Sequence, residues 1–236
     1  MQIHEHDCVF SLGTNCEISY NLRSYFGELK SGLLDWFITP LAAVPDLLRS
    51  GFSLVDADFA RTLEHMQVDN TDSVIHRPSG ILLHHAFTRD EHHRIAARWS
   101  DEVEAVAQKY RFLGARMNET LANARRPLLF INRTGWYDPM DEVVLRKTHE
   151  PDIYLQIINA FRDRYPSADP VFCITNGHPE AVQRAVSRND VRVASVANHG
   201  EWHEGAVDHY AGCKRGWKEA LDSLLANRGM TTGAMA

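Results

Sequence analysis

VFCITNGHPEAVQRAVSRNDVRVASV, residues 171–196, holds a complete strand, helix and strand. Val171–Thr175 is a five-residue apolar run closed by a polar residue. Asn176-Gly177-His178 breaks it, and Pro179 opens a helical stretch to Ser187 before a second apolar run over Val191–Val196. The same alternation extends in both directions. Before it come a strand at Leu128–Asn132 and a helix at Asp152–Tyr165, and after it a helix at Ala211–Ala226. At the amino end, Cys8–Gly13 reads as a strand, and Asn15 opens an amphipathic stretch to Phe26. Regular β/α alternation predicts an α/β fold: a three-layer sandwich on a mainly parallel, Rossmann/flavodoxin-like sheet. In such sheets ligands sit at the carboxyl ends of the strands.

Three segments lie outside the alternation. Thr39–Phe52 carries a Thr positioned to cap, Pro40 at the first helical position and Gly51 at the end, so it predicts a helix. Ser73–Phe87 alternates around Pro78-Ser79-Gly80 and predicts an inserted β-hairpin whose second strand ends at His84 and His85. Ser100–Ala124 keeps helical period through Val106, Tyr110, Leu113, Met117 and Leu121, interrupted only by Gly114.

Over 236 residues, 44% are apolar and 24% charged, without a break in composition; this predicts one domain over residues 1–228 and a flexible tail at 229–236. Lys and Arg number 25 against 31 Asp and Glu, a net charge of −6, and no basic run interleaves with aromatics, so nucleic acid is not an expected partner. No apolar run approaches the ~20 residues of a membrane span, and MQIHEHD (1–7) lacks the character of a signal sequence; the expectation is a cytoplasmic chain with no membrane partner. Cys8, Cys16, Cys173 and Cys213 are widely spaced with no Cys-x-x-Cys pair, as free thiols would be. No Gly-x-Gly-x-x-Gly or Walker-type loop is present, so no cofactor is expected.

Polar residues close four strands: Gly13-Thr14-Asn15-Cys16, Asn132-Arg133-Thr134, Thr175-Asn176-Gly177-His178 and Asn198-His199. They converge on one edge if the sheet is parallel. Cys16 starts a predicted helix, where free backbone N–H groups and the helix dipole favour an anion and would lower a thiol's pKa. As a thiolate it would be a nucleophile, with the N–H groups and the Asn15 amide holding an oxyanion beside it. The plainer alternative is a buried apolar Cys on the inner side of the helix. Gly13, Asn15, Trp36, Arg133 and Asn176 are the candidate substrate-binding residues, Arg133 for its planar grip on a carboxylate or phosphate.

SLGTNC (11–16), NLR (21–23), LLDWFITP (33–40), HHAF (84–87) and LLFINRT (128–134) together resemble the bacterial family grouped as papain-like cysteine peptidases. The resemblance implies a cysteine-dependent hydrolase or acyl transferase, with Cys16 as nucleophile, His85 as base and Asp35 as acid. Leu34 stands where the family has Phe, and Ala86 where it has a second Asp. The β/α alternation does not match the papain fold, so the family label is read as describing chemistry.

A second base pair, Asp208 and His209, precedes the last helix and resembles the acid-His element of SGNH-type esterases, whose nucleophile also follows the first strand. Two rivals belong to other classes. His199, His203 and His209 fall at metzincin-like offsets, which would make a metal-dependent hydrolase, but Glu201 and Gly205 are each displaced by one from that pattern. A non-catalytic module would use the same edge, with Trp36, Trp136 and Arg133, to bind a sugar, nucleotide or peptide within a polysaccharide-assembly system. The expected substrate is a small molecule, glycan or peptide.

Overall fold

The computed structural model describes residues 6–68, 71–132, 151–187, 190–200 and 211–226. Four strands, β1 (Val9–Ser11), β5 (Leu128–Asn132), β6 (Val171–Thr175) and β7 (Val191–Ala194), form a parallel sheet in the order β1-β5-β6-β7. Val9 pairs with Leu128, Leu128 with Val171 and Phe172 with Val191.

β1, β5 and β6 are buried at every position, because helices cover both faces. Side chains alternate across a strand, so each strand feeds two cores. Phe10, Leu12, Leu129, Ile131, Phe172 and Ile174 pack with α2 (Val44–Arg49), α4 (Val103–Asn123) and α5 (Ile153–Arg164). Val9, Leu128, Phe130, Val171 and Cys173 pack with Ile18 and Leu22 of α1 (Cys16–Phe26) and with Trp217, Leu221 and Leu224 of α7 (Lys214–Ala226). α6 (Pro179–Ala185) joins β6 to β7 and opens on Pro179, whose ring suits a first helical turn.

The inserted element is larger than a hairpin. After α3 (Phe59–Thr62), β2 (Leu63–Val68), β3 (Thr71–His76) and β4 (Ile81–Leu82) form a separate antiparallel sheet in the order β2-β3-β4. The Pro78-Ser79-Gly80 turn joins β3 to β4 as expected, and β2 adds a strand beyond the predicted pair. β4 stops at Leu82, whose backbone exchanges two hydrogen bonds with Ile38, and Ala86 N–H then turns back to the Leu83 carbonyl. His84 and His85 therefore lie in a turn, not on a strand, and strand alternation does not govern where they point.

The expected helix over 39–52 is shorter. A 3-10 turn at Leu41–Ala43 leads into α2. Thr39 does not cap it: its N–H is committed to the Thr14 carbonyl at 2.6 Å, and its Oγ1 is buried without a partner among the described residues. Gly114 in α4 marks a close approach, since a Cβ there would strike the Phe52 carbonyl. Among the described residues, no helix is long and apolar enough to cross a membrane.

Candidate active site

The segment from Leu12 to Cys16 extends β1 along β5 and then turns into α1. Leu12 N–H reaches the Phe130 carbonyl at 2.8 Å, Asn132 N–H reaches the Gly13 carbonyl at 2.9 Å, and the Thr14 N–H and Oγ1–H both donate to the Asn132 carbonyl, at 3.1 and 3.0 Å. Gly13 has φ +104°, and a Cβ there would lie 3.1 Å from Thr39 Cβ, so a bare backbone is required where the two loops meet. Residues 13–15 thus sit between the end of β5 and Thr39, and Cys16 starts the helix at the carboxyl edge of the sheet.

Cys16 is half-buried. Its thiol pKa is raised, not lowered. Burial is the largest cause, opposed by the backbone N–H groups of Cys16 and Glu17 and reinforced by the Glu17 carboxylate. The helix N-terminus acts in the expected direction, but desolvation outweighs it. Burial also pushes Cys8 and Cys173 up to about 12, and Cys173 is fully enclosed in β6. Cys213 is buried, its sulfur receiving the N–H groups of His199 and Gly216.

Glu17, which sequence reasoning passed over, ties α1 to the start of α7. Its Oε1 accepts the Trp217 indole N–H at 2.7 Å and its Oε2 the Asn15 Nδ2–H at 3.5 Å; burial raises its pKa against these two bonds. Asn15 Nδ2 spends one of its two N–H groups on Glu17, while Asn15 Oδ1 is buried with no partner among the described residues. Asn21 Nδ2 donates to the carbonyls of Glu17 and Ala211 at 2.8 and 2.7 Å, and the Gly212 backbone packs directly on the Glu17 carboxylate.

Asn176, a predicted substrate contact, spends its side chain internally. Its Oδ1 accepts the Val196 N–H at 2.8 Å, and its Nδ2 donates to Asn132 Oδ1 at 3.3 Å. Thr175 Oγ1 donates to the same Asn132 oxygen at 2.8 Å. Asn132 and Thr175 are fully buried, and Asn132 Nδ2 has no partner among the described residues. The only sequence signal for Asn132 and Thr175 is that each is the polar residue closing an apolar strand, in LLFIN and VFCIT.

Asp35 is 4% exposed and bound on both oxygens, Oδ1 by Ser19 Oγ at 3.1 Å, Oδ2 by Gly32 N–H at 2.8 Å and by the Arg23 guanidinium. Burial raises its pKa and Arg23 opposes the rise. Arg23 also lies 5.3 Å over the ring of Trp36, and the exposed His85 meets the other aromatic contacts: Trp36 at 6.0 Å and His84 at 4.7 Å between ring centroids. Partial burial and then the Arg89 charge lower the His85 pKa; the same two effects with His85 itself bring His84 down to about 4. Among the described residues, no hydrogen bond joins Cys16 to His85 or His85 to Asp35.

Arg133, Trp136, Glu201, His203, Gly205, Asp208 and His209 lie outside the described residues. His199 bonds Glu219 at 2.7 Å, and no group of three or more His, Cys, Asp or Glu able to hold a metal ion occurs among the described residues. Comparison with protein-family models, curated proteins and solved structures found no match to this chain.

Proposed function

We propose that the carboxyl edge of the parallel sheet is the active site of a cysteine-dependent acyl hydrolase or acyl transferase, with Cys16 as nucleophile, on a three-layer, flavodoxin-like sandwich. One observation carries this reading: of the four thiols, Cys16 alone starts a helix at the sheet's carboxyl edge, where it is half-exposed. The resemblance to papain-like cysteine peptidases in SLGTNC supports the same residue.

Because its pKa is raised, the resting thiol is protonated at neutral pH, and attack requires a base. As the sulfur gives its proton to that base, the S–C bond to the acyl carbon forms. The bond from that carbon to the leaving oxygen or nitrogen then breaks, the leaving group taking the proton back. Water or another acceptor cleaves the thioester in a second step. The family resemblance assigns the base to His85. The likeness to SGNH-type esterases assigns it to His209 with Asp208.

The test is acylation of the protein by p-nitrophenyl acetate and by a thioester, followed by mass spectrometry, in wild type, Cys16→Ser, His85→Ala and His209→Ala. Loss with Cys16→Ser, together with a fall of roughly 10²–10⁴ in one histidine variant and little change in the other, supports the reading and names the base. Unchanged acylation in Cys16→Ser overturns it. The binding-module reading then takes its place.

A further inference from the structure

We propose that Asn132 is the hydrogen-bond donor for the oxygen of a neutral amide, a carboxamide or peptide group, bound at the head of α1, with Asn15 accepting the amide's N–H. This rests on the reading that the sheet edge is the functional site, but not on Cys16 being a nucleophile.

The argument starts from amide orientation. A side-chain amide has one acceptor end and one donor end, and its neighbours decide which way it faces. Val196 N–H donates to Asn176 Oδ1, which commits Asn176 Nδ2 as a donor. That Nδ2 and Thr175 Oγ1 both donate to Asn132 Oδ1. The Asn132 amide is thereby locked with its NH₂ away from both, and this NH₂ is fully buried without a partner among the described residues. Buried amide groups are nearly always hydrogen-bonded, so an unused donor held in place by Thr175 and Asn176 calls for an acceptor from a ligand. Strand alternation sets its direction. Asn132 shares the face of Leu128 and Phe130, which pack on α1 and α7, so the donor faces the helix that begins with Cys16.

The ligand class follows from the second unused group. Asn15 turns its Nδ2 to Glu17 and leaves Oδ1 buried and unpartnered; its neighbour Thr14 is bonded twice to the Asn132 carbonyl. A donor and an acceptor are thus presented on adjoining backbone. An amide offers the complementary pair, C=O and N–H, whereas an ester or a carboxylate offers acceptors only. The half-buried Glu17 carboxylate beside Asn15 further disfavours an anion. Thr175 and Asn176 are positioning residues.

The experiment uses the uniformly ¹⁵N,¹³C-labelled full chain, with the Asn132 and Asn15 side-chain NH₂ pairs assigned through their own backbones. Acetamide, methyl acetate and sodium acetate are titrated separately. The expected result is a saturable downfield shift of the Asn132 pair with acetamide, at least tenfold weaker with the other two. Asn132→Asp, which keeps both acceptors for Thr175 and Asn176, should abolish acetamide binding. Asn176→Asp, which keeps the acceptor for Val196 but withdraws the donor, should weaken it several-fold and move the Asn132 pair before any ligand is added. The titration reads binding to the wild-type chain without any acylation step, so failure of the nucleophile leaves this result standing. An Asn132 pair unmoved by acetamide, equal response to all three probes, or a persistent Overhauser effect to a bound water that acetamide does not displace would overturn the proposal. The wild-type titration decides the matter even if a variant fails to fold.

Discussion

Replacing Asp35 by Ala separates an anchor from a catalytic acid. The carboxylate is 4% exposed and accepts Ser19 Oγ–H, Gly32 N–H and the Arg23 guanidinium. Its removal leaves the Ser19 hydroxyl and the Gly32 N–H buried without acceptors, each costing about 1–3 kcal/mol. The Arg23 side chain is 25% exposed and can be partly rehydrated, so its own share is smaller. These terms bracket the cost of breaking a buried pair by removing one partner, about 3–5 kcal/mol, which is the expected loss. In a chain of this size that lowers Tm by about 6–20 °C. Urea and thermal unfolding followed by far-UV circular dichroism measure it. Because the two residues share one network, Arg23→Ala added to Asp35→Ala should cost much less than Arg23→Ala alone. An Asp35→Ala protein within about 1 kcal/mol of wild type, yet acylated on Cys16 a hundredfold more slowly, would show that the carboxylate serves chemistry and that the anchor reasoning is wrong.

Three further outcomes are expected. Iodoacetamide should modify Cys16 ahead of Cys8, Cys173 and Cys213, but slowly at pH 7, with a rate that climbs about tenfold per pH unit to beyond the ordinary thiol range; a plateau below pH 8 on mass-resolved labelling would contradict the raised pKa. His84 is pushed from 6.5 down to about 4, so the folded chain binds its proton less tightly than the unfolded one; the stability it contributes is whole above 6.5 and lost as pH falls through about 4. His84→Gln should therefore flatten the acid limb of a stability–pH profile between those values, and an unchanged limb would refute the assignment. Gly212 has φ +64° and packs on Glu17, so Gly212→Ala should cost at least about 1 kcal/mol in backbone strain and alter Trp217 fluorescence as the indole loses its acceptor; unaltered emission would mean that Glu17 does not depend on Gly212.

The sequence by itself determined the parallel sheet, for a local reason. Fully apolar five-residue runs such as LLFIN and VFCIT can be buried only if both faces are covered, and the helical stretches between them supply the cover. The position of Cys16 at the head of a helix after β1 was legible in the same way. What each polar side chain does with its hydrogen bonds was not. The sequence offers Asn15 as an oxyanion donor, whereas one of its amide hydrogens goes to Glu17, a carboxylate that Trp217, 200 residues away in the chain, holds from the other side. The sequence offers Asn176 as a ligand contact, and in the fold it holds the Asn132 amide from 44 residues away. The motif pairs Asp35 with His85, while Arg23 reaches it from α1. The thiol pKa also reversed, because a helix N-terminus is visible in sequence and the depth of burial is not. Periodicity and backbone sterics act between neighbours in the chain, whereas desolvation and hydrogen-bond partnership act between neighbours in space, and only the packed tertiary structure brings those together.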